Sequence, residues 1–161
     1  MKKLILISLL ALISACNKPQ QAPADVTEKP ATITPNAATQ TVAISDAWVR
    51  ANAPGQSVGA AYMTLNSPKD STLVFVESDA AESVQIHSMT MDNGVMKMRM
   101  LEELTIKANM PEKLAPGGFH LMLFDLKKPL KAGENINFRL CFKDKAGDIK
   151  DQHISLPIKE D

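Results

Sequence analysis

From Val42 onward, apolar and polar residues alternate in short runs, and no stretch longer than a turn or two keeps the spacing of an amphipathic helix. Alternation with a period of two is typical of strands that bury one face. The pattern predicts eight strands, at residues 42–49, 59–65, 72–77, 83–91, 95–101, 119–126, 135–142 and 149–156.

The breaks between these runs are rich in Gly, Pro, Asn and Asp, which are the residues that form turns. The clearest are Asp92-Asn93-Gly94 and Ala115-Pro116-Gly117-Gly118. Short strands at regular spacing with such turns indicate an all-β fold, an antiparallel sandwich or barrel of about eight strands. We expect this domain to cover residues 42–161.

The first fifteen residues have the composition of a secretory signal. Lys2 and Lys3 precede an apolar run over residues 4–13 that is too short to cross a bilayer. Ile13-Ser14-Ala15-Cys16 resembles the bacterial lipobox, in which the cysteine is acylated, and a signal cut by the ordinary peptidase is the alternative. By the sorting rule of enteric bacteria, Asn17 points to the outer membrane. We expect a periplasmic lipoprotein of a Gram-negative bacterium, with residues 1–15 removed and lipid on Cys16.

Residues 16–41 consist mainly of Pro, Ala, Thr and Gln, which predicts a disordered tether after the lipidated cysteine. The chain has 18 basic and 18 acidic residues, and removal of Lys2 and Lys3 leaves 16 against 18, a net charge of −2. This balance gives no indication of a nucleic-acid partner.

Four residues in the predicted strands carry metal-binding side chains at a defined spacing. Ten residues separate His87 from Met98, twenty-one separate Met98 from His120, and one separates His120 from Met122. Thioether sulfur with neutral imidazole, without thiolate or carboxylate, favours Cu(I) over harder divalent ions. We therefore predict that these four residues bind one Cu(I) ion in each chain.

The fold must bring the four residues together. Asn93-Gly94 predicts a tight type I′ turn, because both residues tolerate positive φ. Residues whose numbers add to 187 then lie opposite each other, so His87 faces Met100 and lies diagonal to Met98.

The other two candidate ligands, His120 and Met122, are two residues apart in one strand and project from the same side. The sharp turn at Pro116-Gly117-Gly118 precedes that strand. We expect a shallow, open site at this end of the sandwich.

The other methionines of the hairpin have more than one interpretation. Met89, Met91, Met96 and Met100 share a face with His87, and because Met is a common core filler, each is expected to be a core or collar residue. Met89, Met96 and Met100 are alternatively accessory copper ligands, and a Met-rich surface for a protein partner is a further alternative. The histidines are harder to place in a core, since a buried imidazole needs partners for both nitrogens.

Other functions fit the sequence less well. A blue-copper electron carrier needs a cysteine thiolate with two histidines and an axial methionine, but Cys141 is followed only by His153 and by no methionine. Cys141 is predicted to be an inert packing residue within a strand. No metalloprotease helix motif or serine nucleophile elbow appears, so we do not expect an enzyme. A lipoprotein that buffers copper against toxicity is the remaining alternative.

The chain resembles the PCuAC family of periplasmic copper chaperones. His87, Met98, His120 and Met122 match the family signature without insertion or deletion. The flanking segments are similar as well: Asp46-Ala47-Trp48-Val49-Arg50, Ala61-Tyr62-Met63, Asn93-Gly94-Val95-Met96-Lys97-Met98 and Pro116-Gly117-Gly118-Phe119-His120-Leu121-Met122-Leu123. The resemblance covers residues 42–156.

The resemblance implies a cupredoxin-like β-sandwich that binds one Cu(I) through two histidines and two methionines. It also implies delivery of that copper to the binuclear copper centre of cytochrome c oxidase, directly or together with a Sco-type protein. Some family members carry a His- and Met-rich tail for Cu(II). Residues 152–157 contain one histidine and no methionine, so such a second site would lack its usual ligands here.

Overall fold

The computed structural model describes residues 41–160, and within them the chain is all-β. It has ten strands: β1 Ala43–Arg50, β2 Gly59–Asn66, β3 Ser71–Ser78, β4 Ala81–Asp92, β5 Val95–Leu101, β6 Leu104–Ile106, β7 Glu112–Leu114, β8 His120–Leu126, β9 Asn135–Asp144 and β10 Ile149–Lys159. Over this part of the chain there is no helix of the length and apolar character that a membrane crossing requires. The predicted signal segment, the lipidated Cys16 and the tether up to residue 40 lie outside the described residues.

The strands form two layers joined at one edge. The first layer has the order β5-β4-β8-β2-β1, with β7 also paired to β2, and the second has the order β10-β9-β3-β6. The layers meet through a short parallel pairing of β1 with β10 at Val49 and Ile158. The remaining strand pairs are antiparallel. The predicted cupredoxin-like sandwich is therefore confirmed.

Two strands were not predicted from the sequence. β6 and β7 have three residues each and lie in the stretch between β5 and β8. Three residues are too few to show an alternating pattern, so the prediction of eight strands is two strands short. β7 lengthens the first layer by pairing with Met63 to Leu65 of β2.

The core lies between the two layers and sets the direction of the β8 side chains. Leu121 and Leu123 are fully buried, and they belong to one core cluster with Phe138 and Leu140 of β9. Because side chains alternate along a strand, His120 and Met122 project from the opposite, outer face of the first layer. The candidate ligands are thus held by the fold without being part of its core.

Truncation of Leu123 tests this division of the strand. We expect Leu123→Ala to lower the free energy of unfolding by about 2–5 kcal/mol, because it leaves a cavity in a closely packed core. The matched truncation of an exposed side chain, Met110→Ala, is expected to change it by no more than about 0.5 kcal/mol. Urea unfolding followed by circular dichroism measures both values. Equal effects of the two truncations would contradict the assignment of Leu123 to the core.

Candidate metal centre

The hairpin between β4 and β5 has the register that the sequence predicts. Asn93 and Gly94 have φ values of 50° and 78°, as a type I′ turn requires. His87 pairs with Met100, and the next pairs on the same face are Met89 with Met98 and Met91 with Met96. The predicted hairpin is therefore confirmed pair by pair.

β4 also pairs with β8 on its other side, and this pairing brings the two histidines together. His87 lies opposite His120, and Gln85 lies opposite Met122. The centroids of the two imidazole rings are 5.8 Å apart. Met100, His87 and His120 thus form one row across three neighbouring strands.

A cavity of about 340 Å³ opens beside this row. It is lined by Arg50, Ala60, Tyr62, Met89, Met98, Pro116, Gly117, His120 and Met122. Three of the four predicted ligands therefore share one cavity, and so does the accessory candidate Met89. Met96 and Met100 are not among the lining residues. His87 does not line the cavity either, but its ring lies next to that of His120.

The site is deeper than the sequence suggested. His87 and His120 are 8% and 5% exposed, whereas Met98 is 46% exposed. The expectation of a shallow, open site is therefore correct for Met98 and wrong for the two histidines. The ring of Phe124 lies 6.0 Å from that of His87, and Pro116 and Gly117 line the cavity together with His120.

Gln85 determines which nitrogen of His87 carries the proton. The Gln85 side-chain oxygen lies 2.9 Å from His87 Nε2, and because an amide oxygen only accepts hydrogen bonds, Nε2 donates. The lone pair of the neutral ring is then on Nδ1. This atom is buried and has no hydrogen-bond partner within residues 41–160. Burial, followed by the nearby His120, lowers the pKa of His87, which favours the neutral ring.

Gly118 has the corresponding role for His120, with the opposite tautomer. His120 Nδ1 donates to the Gly118 carbonyl oxygen at 3.1 Å, which leaves the lone pair on Nε2. The same carbonyl accepts the backbone N–H of Met89 at 3.2 Å. One peptide oxygen therefore fixes the orientation of the His120 ring and ties the 115–118 turn to β4.

These donors fit a soft cation. Neutral imidazole nitrogens and thioether sulfurs carry no formal charge, and no carboxylate lines the cavity. The buried Nδ1 of His87 is a polar atom whose burial costs free energy unless something binds it. Between Thr41 and Glu160 the structure has no group of three or more His, Cys, Asp or Glu side chains that could hold a metal ion.

Cys141 and His153 lie away from this cluster. Cys141 is buried in β9, and burial, followed by its hydrogen bond with Asp151, raises the pKa of its thiol to about 11. The thiol is therefore protonated at neutral pH, in agreement with the predicted packing role. His153 is an exposed residue of β10, opposite Arg139. Neither residue lines the cavity.

The sequence alone did not indicate the roles of Gln85, Gly118 and Arg50 at the site. Gln85 and Gly118 orient the two imidazoles, and Arg50 lines the cavity with its guanidinium carbon 5.4 Å from the centre of the Tyr62 ring. The position of Gln85, two residues before His87 on the same face, was a signal that the alternation of β4 offered. Arg50 depends on the pairing of β1 with β2, which local sequence does not reveal.

The fold and this cluster define a cupredoxin-like domain whose first layer carries imidazole nitrogens and thioether sulfurs side by side. Residues 42–155 match the family described as "Putative lipoprotein LpqE-like". A relative at 34% identity over 130 residues, covering 79% of this chain and 75% of its own length, is "Putative lipoprotein Lxx21020" of Leifsonia xyli subsp. xyli. The chain belongs to the LpqE-like family.

Solved structures support the same grouping. The copper-bound PCuAC domain from PmoF2 shares the fold at a TM-score of 0.60 and 23% identity, over 77% of this chain and 97% of that domain. The solution structure of CuI-DR1885 from Deinococcus radiodurans is 33% identical, with a TM-score of 0.57, over 73% of this chain and 77% of its own. The resemblance to PCuAC domains is confirmed.

Replacement of Gln85 tests the assignment of the two tautomers. In the metal-free protein we expect His87 to carry its proton on Nε2 and His120 on Nδ1, as long-range ¹H–¹⁵N spectra of the imidazoles report directly. Gln85→Ala should remove the preference at His87 and leave His120 unchanged, because Gln85 is hydrogen-bonded to His87 whereas His120 is hydrogen-bonded to Gly118. Gln152→Ala, which removes a distant side-chain hydrogen bond to Val42, is the control. The same tautomer of His87 in all three proteins would show that Gln85 does not set it.

Proposed function

We propose that this protein is a copper chaperone that binds one Cu(I) through His87, Met98, His120 and Met122. The observation that carries the proposal is the cavity shared by Met98, His120 and Met122, with the unpartnered Nδ1 of His87 buried in the adjacent row. Copper in the structures of PmoF2 and DR1885, which have the same fold, supports it.

The arrangement suits binding and release rather than catalysis. Hydrogen bonds to Gln85 and Gly118 orient the two buried imidazoles. Met98 is far more exposed than either histidine, so ligands of an acceptor can replace it first. Thioethers carry no proton and do not form disulfides, so the site works in an oxidising compartment where paired thiols would be lost. Stepwise replacement of neutral ligands transfers Cu(I) without any change of oxidation state.

The location and the acceptor are part of the same proposal. Membership of a family described as lipoproteins supports an envelope protein anchored through lipid on Cys16. We place it in the periplasm of a Gram-negative bacterium, on the outer membrane. The acceptor that we propose is the copper subunit of cytochrome c oxidase, reached directly or together with a Sco-type protein.

Copper buffering is the second candidate function. The observation that favours it is the number of exposed methionines along β5. There are three, Met96, Met98 and Met100, which is more than a site with two methionines requires. Additional thioethers let a buffering protein bind more copper, whereas a chaperone needs to bind one ion and transfer it to an acceptor.

Anaerobic titration with Cu(I) against a chromophoric chelator tests the proposed site. We expect one tightly held equivalent in the parent and an affinity at least about tenfold lower in His120→Ala and in Met98→Ala, since loss of even a residue that only supports a ligand costs a metal site this much. His153→Ala and Met110→Ala remove an exposed histidine and methionine outside the cavity and should bind like the parent. Binding that ignores the first two changes would refute the four-residue site.

The phenotype of a deletion strain separates the two candidate functions. A copper-delivery role predicts low cytochrome c oxidase activity when copper is scarce, with recovery on copper addition, because excess metal bypasses a carrier. A buffering role predicts normal oxidase activity and poor growth at high copper. Oxidase activity and growth rate across a copper series measure both. Complementation with the Met98→Ala chain shows whether the site itself is responsible.

A further inference from the structure

The outer end of the β4–β5 hairpin carries methionines that neither the core nor the cavity uses. Met91 and Met96 face each other next to the turn and are 68% and 53% exposed. Met96 is not in the cavity lining, and neither is Met91. We call these two residues the tip pair.

Core packing does not explain the tip pair. All residues of β5 from Val95 to Met100 are exposed, so both faces of this edge strand meet solvent. An exposed strand gains little from apolar side chains, yet one face of β5 consists of Met96, Met98 and Met100, while Lys97 and Arg99 occupy the other. Methionine also has lower β-propensity than the branched residues that usually fill strands. The feature that these side chains share is sulfur.

The register places the sulfur-bearing side chains in a continuous series of rows. Asp92 and Val95 close the two-residue turn, so they form a hydrogen-bonded pair, and the pair Met91–Met96 belongs to the closer class with Cα atoms about 4.5 Å apart. The row Met89–Met98 follows about 7 Å further along the strands. That second row lines the copper cavity. Flexible methionine side chains from adjacent rows can reach toward one another across this spacing.

We propose that the tip pair is a second, weaker Cu(I)-binding site, through which copper passes between solvent and the cavity. Two thioethers supply two neutral soft ligands, and Met89 or Met98 of the next row supplies a third. Each transfer along the hairpin replaces one thioether by another around Cu(I), so neither a proton nor an electron is exchanged. The inference rests on the proposed function, because it assigns a path to the ion that the cavity holds.

Charge around the tip is compatible with a cation on this face. Lys97 projects from the opposite side of β5, and its ammonium is paired with the carboxylate of Asp92 at the turn. The positive charge beside the tip pair is thereby partly neutralised, and the methionine face itself carries no charged side chain between Met91 and Met100.

Methionine-methyl NMR on the full chain in detergent micelles tests the proposal, with Cu(I) supplied under nitrogen. We expect the first equivalent to shift the ε-methyl signals of Met98 and Met122, and excess Cu(I) to shift those of Met91 and Met96. The Met91→Leu/Met96→Leu variant keeps an apolar surface but has no sulfur at the tip. It should still bind the first equivalent and should take Cu(I) from a chelator several times more slowly than the parent. Met110→Leu, which changes an exposed methionine elsewhere, should load at the parental rate.

The outcomes separate this inference from the proposed function. Tip signals that do not move with excess Cu(I), or parental loading by the double leucine variant, would overturn the inference while the cavity site stands. If the tip signals shift but those of Met98 and Met122 do not, the tip pair binds Cu(I), but the proposed cavity site fails and with it the path that the inference assigns. If Met91→Ala/Met96→Ala slows Cu(I) loading and Met91→Leu/Met96→Leu does not, the tip acts as an apolar contact surface and the metal assignment is wrong.

Discussion

The position of β4 between β5 and β8 is the constraint on which the candidate site depends. Its two hydrogen-bond ladders set His87 opposite Met100 on one side and opposite His120 on the other. A slip of one residue in either ladder would turn every side chain of a strand to the other face. A slip of β8 would turn His120 and Met122 toward the core and Leu121 and Leu123 toward solvent, and a slip of β5 would turn Met98 away from the histidines. The buried Leu121 and Leu123 therefore keep the candidate metal-binding face outward as much as they stabilise the sandwich.

The nitrogen donors of the candidate site are buried, whereas the sulfur-bearing Met98 is exposed. The imidazoles need a fixed tautomer, and Gln85 and Gly118 each accept a hydrogen bond from one ring N–H. The neutral form of His87 is also favoured, because desolvation lowers its pKa. Thioethers need neither condition, since they have no proton to lose. Exposure of Met98 to solvent therefore does not change the ability of its thioether to donate to a soft metal. The same division gives the site a fixed inner half and an accessible outer half.

Sequence alone predicted the parts of this arrangement that depend on local rules. The turn at Asn93-Gly94 determines the register of β4 against β5, and alternation puts His120 and Met122 on one face. The depth of the site was not predictable, because it depends on a turn and on β8 folding against residues distant in sequence. Arg50 enters the cavity for the same reason. β6 and β7 were missed since three residues show no period. The ligand assignment itself stays a prediction.

The edge strand β5 carries charged side chains on one face and exposed methionines on the other. A long exposed edge is liable to pair with another chain, and charged side chains are a common protection against this. Lys97 and Arg99 provide that charge on one face of β5, which leaves the other face available for uncharged residues. Leucine or valine there would create an adhesive apolar strip. Methionine is flexible and polarisable, and unlike leucine or valine it carries a soft sulfur donor. The two faces of β5 are thus best understood together, since the charged face makes an exposed thioether face tolerable.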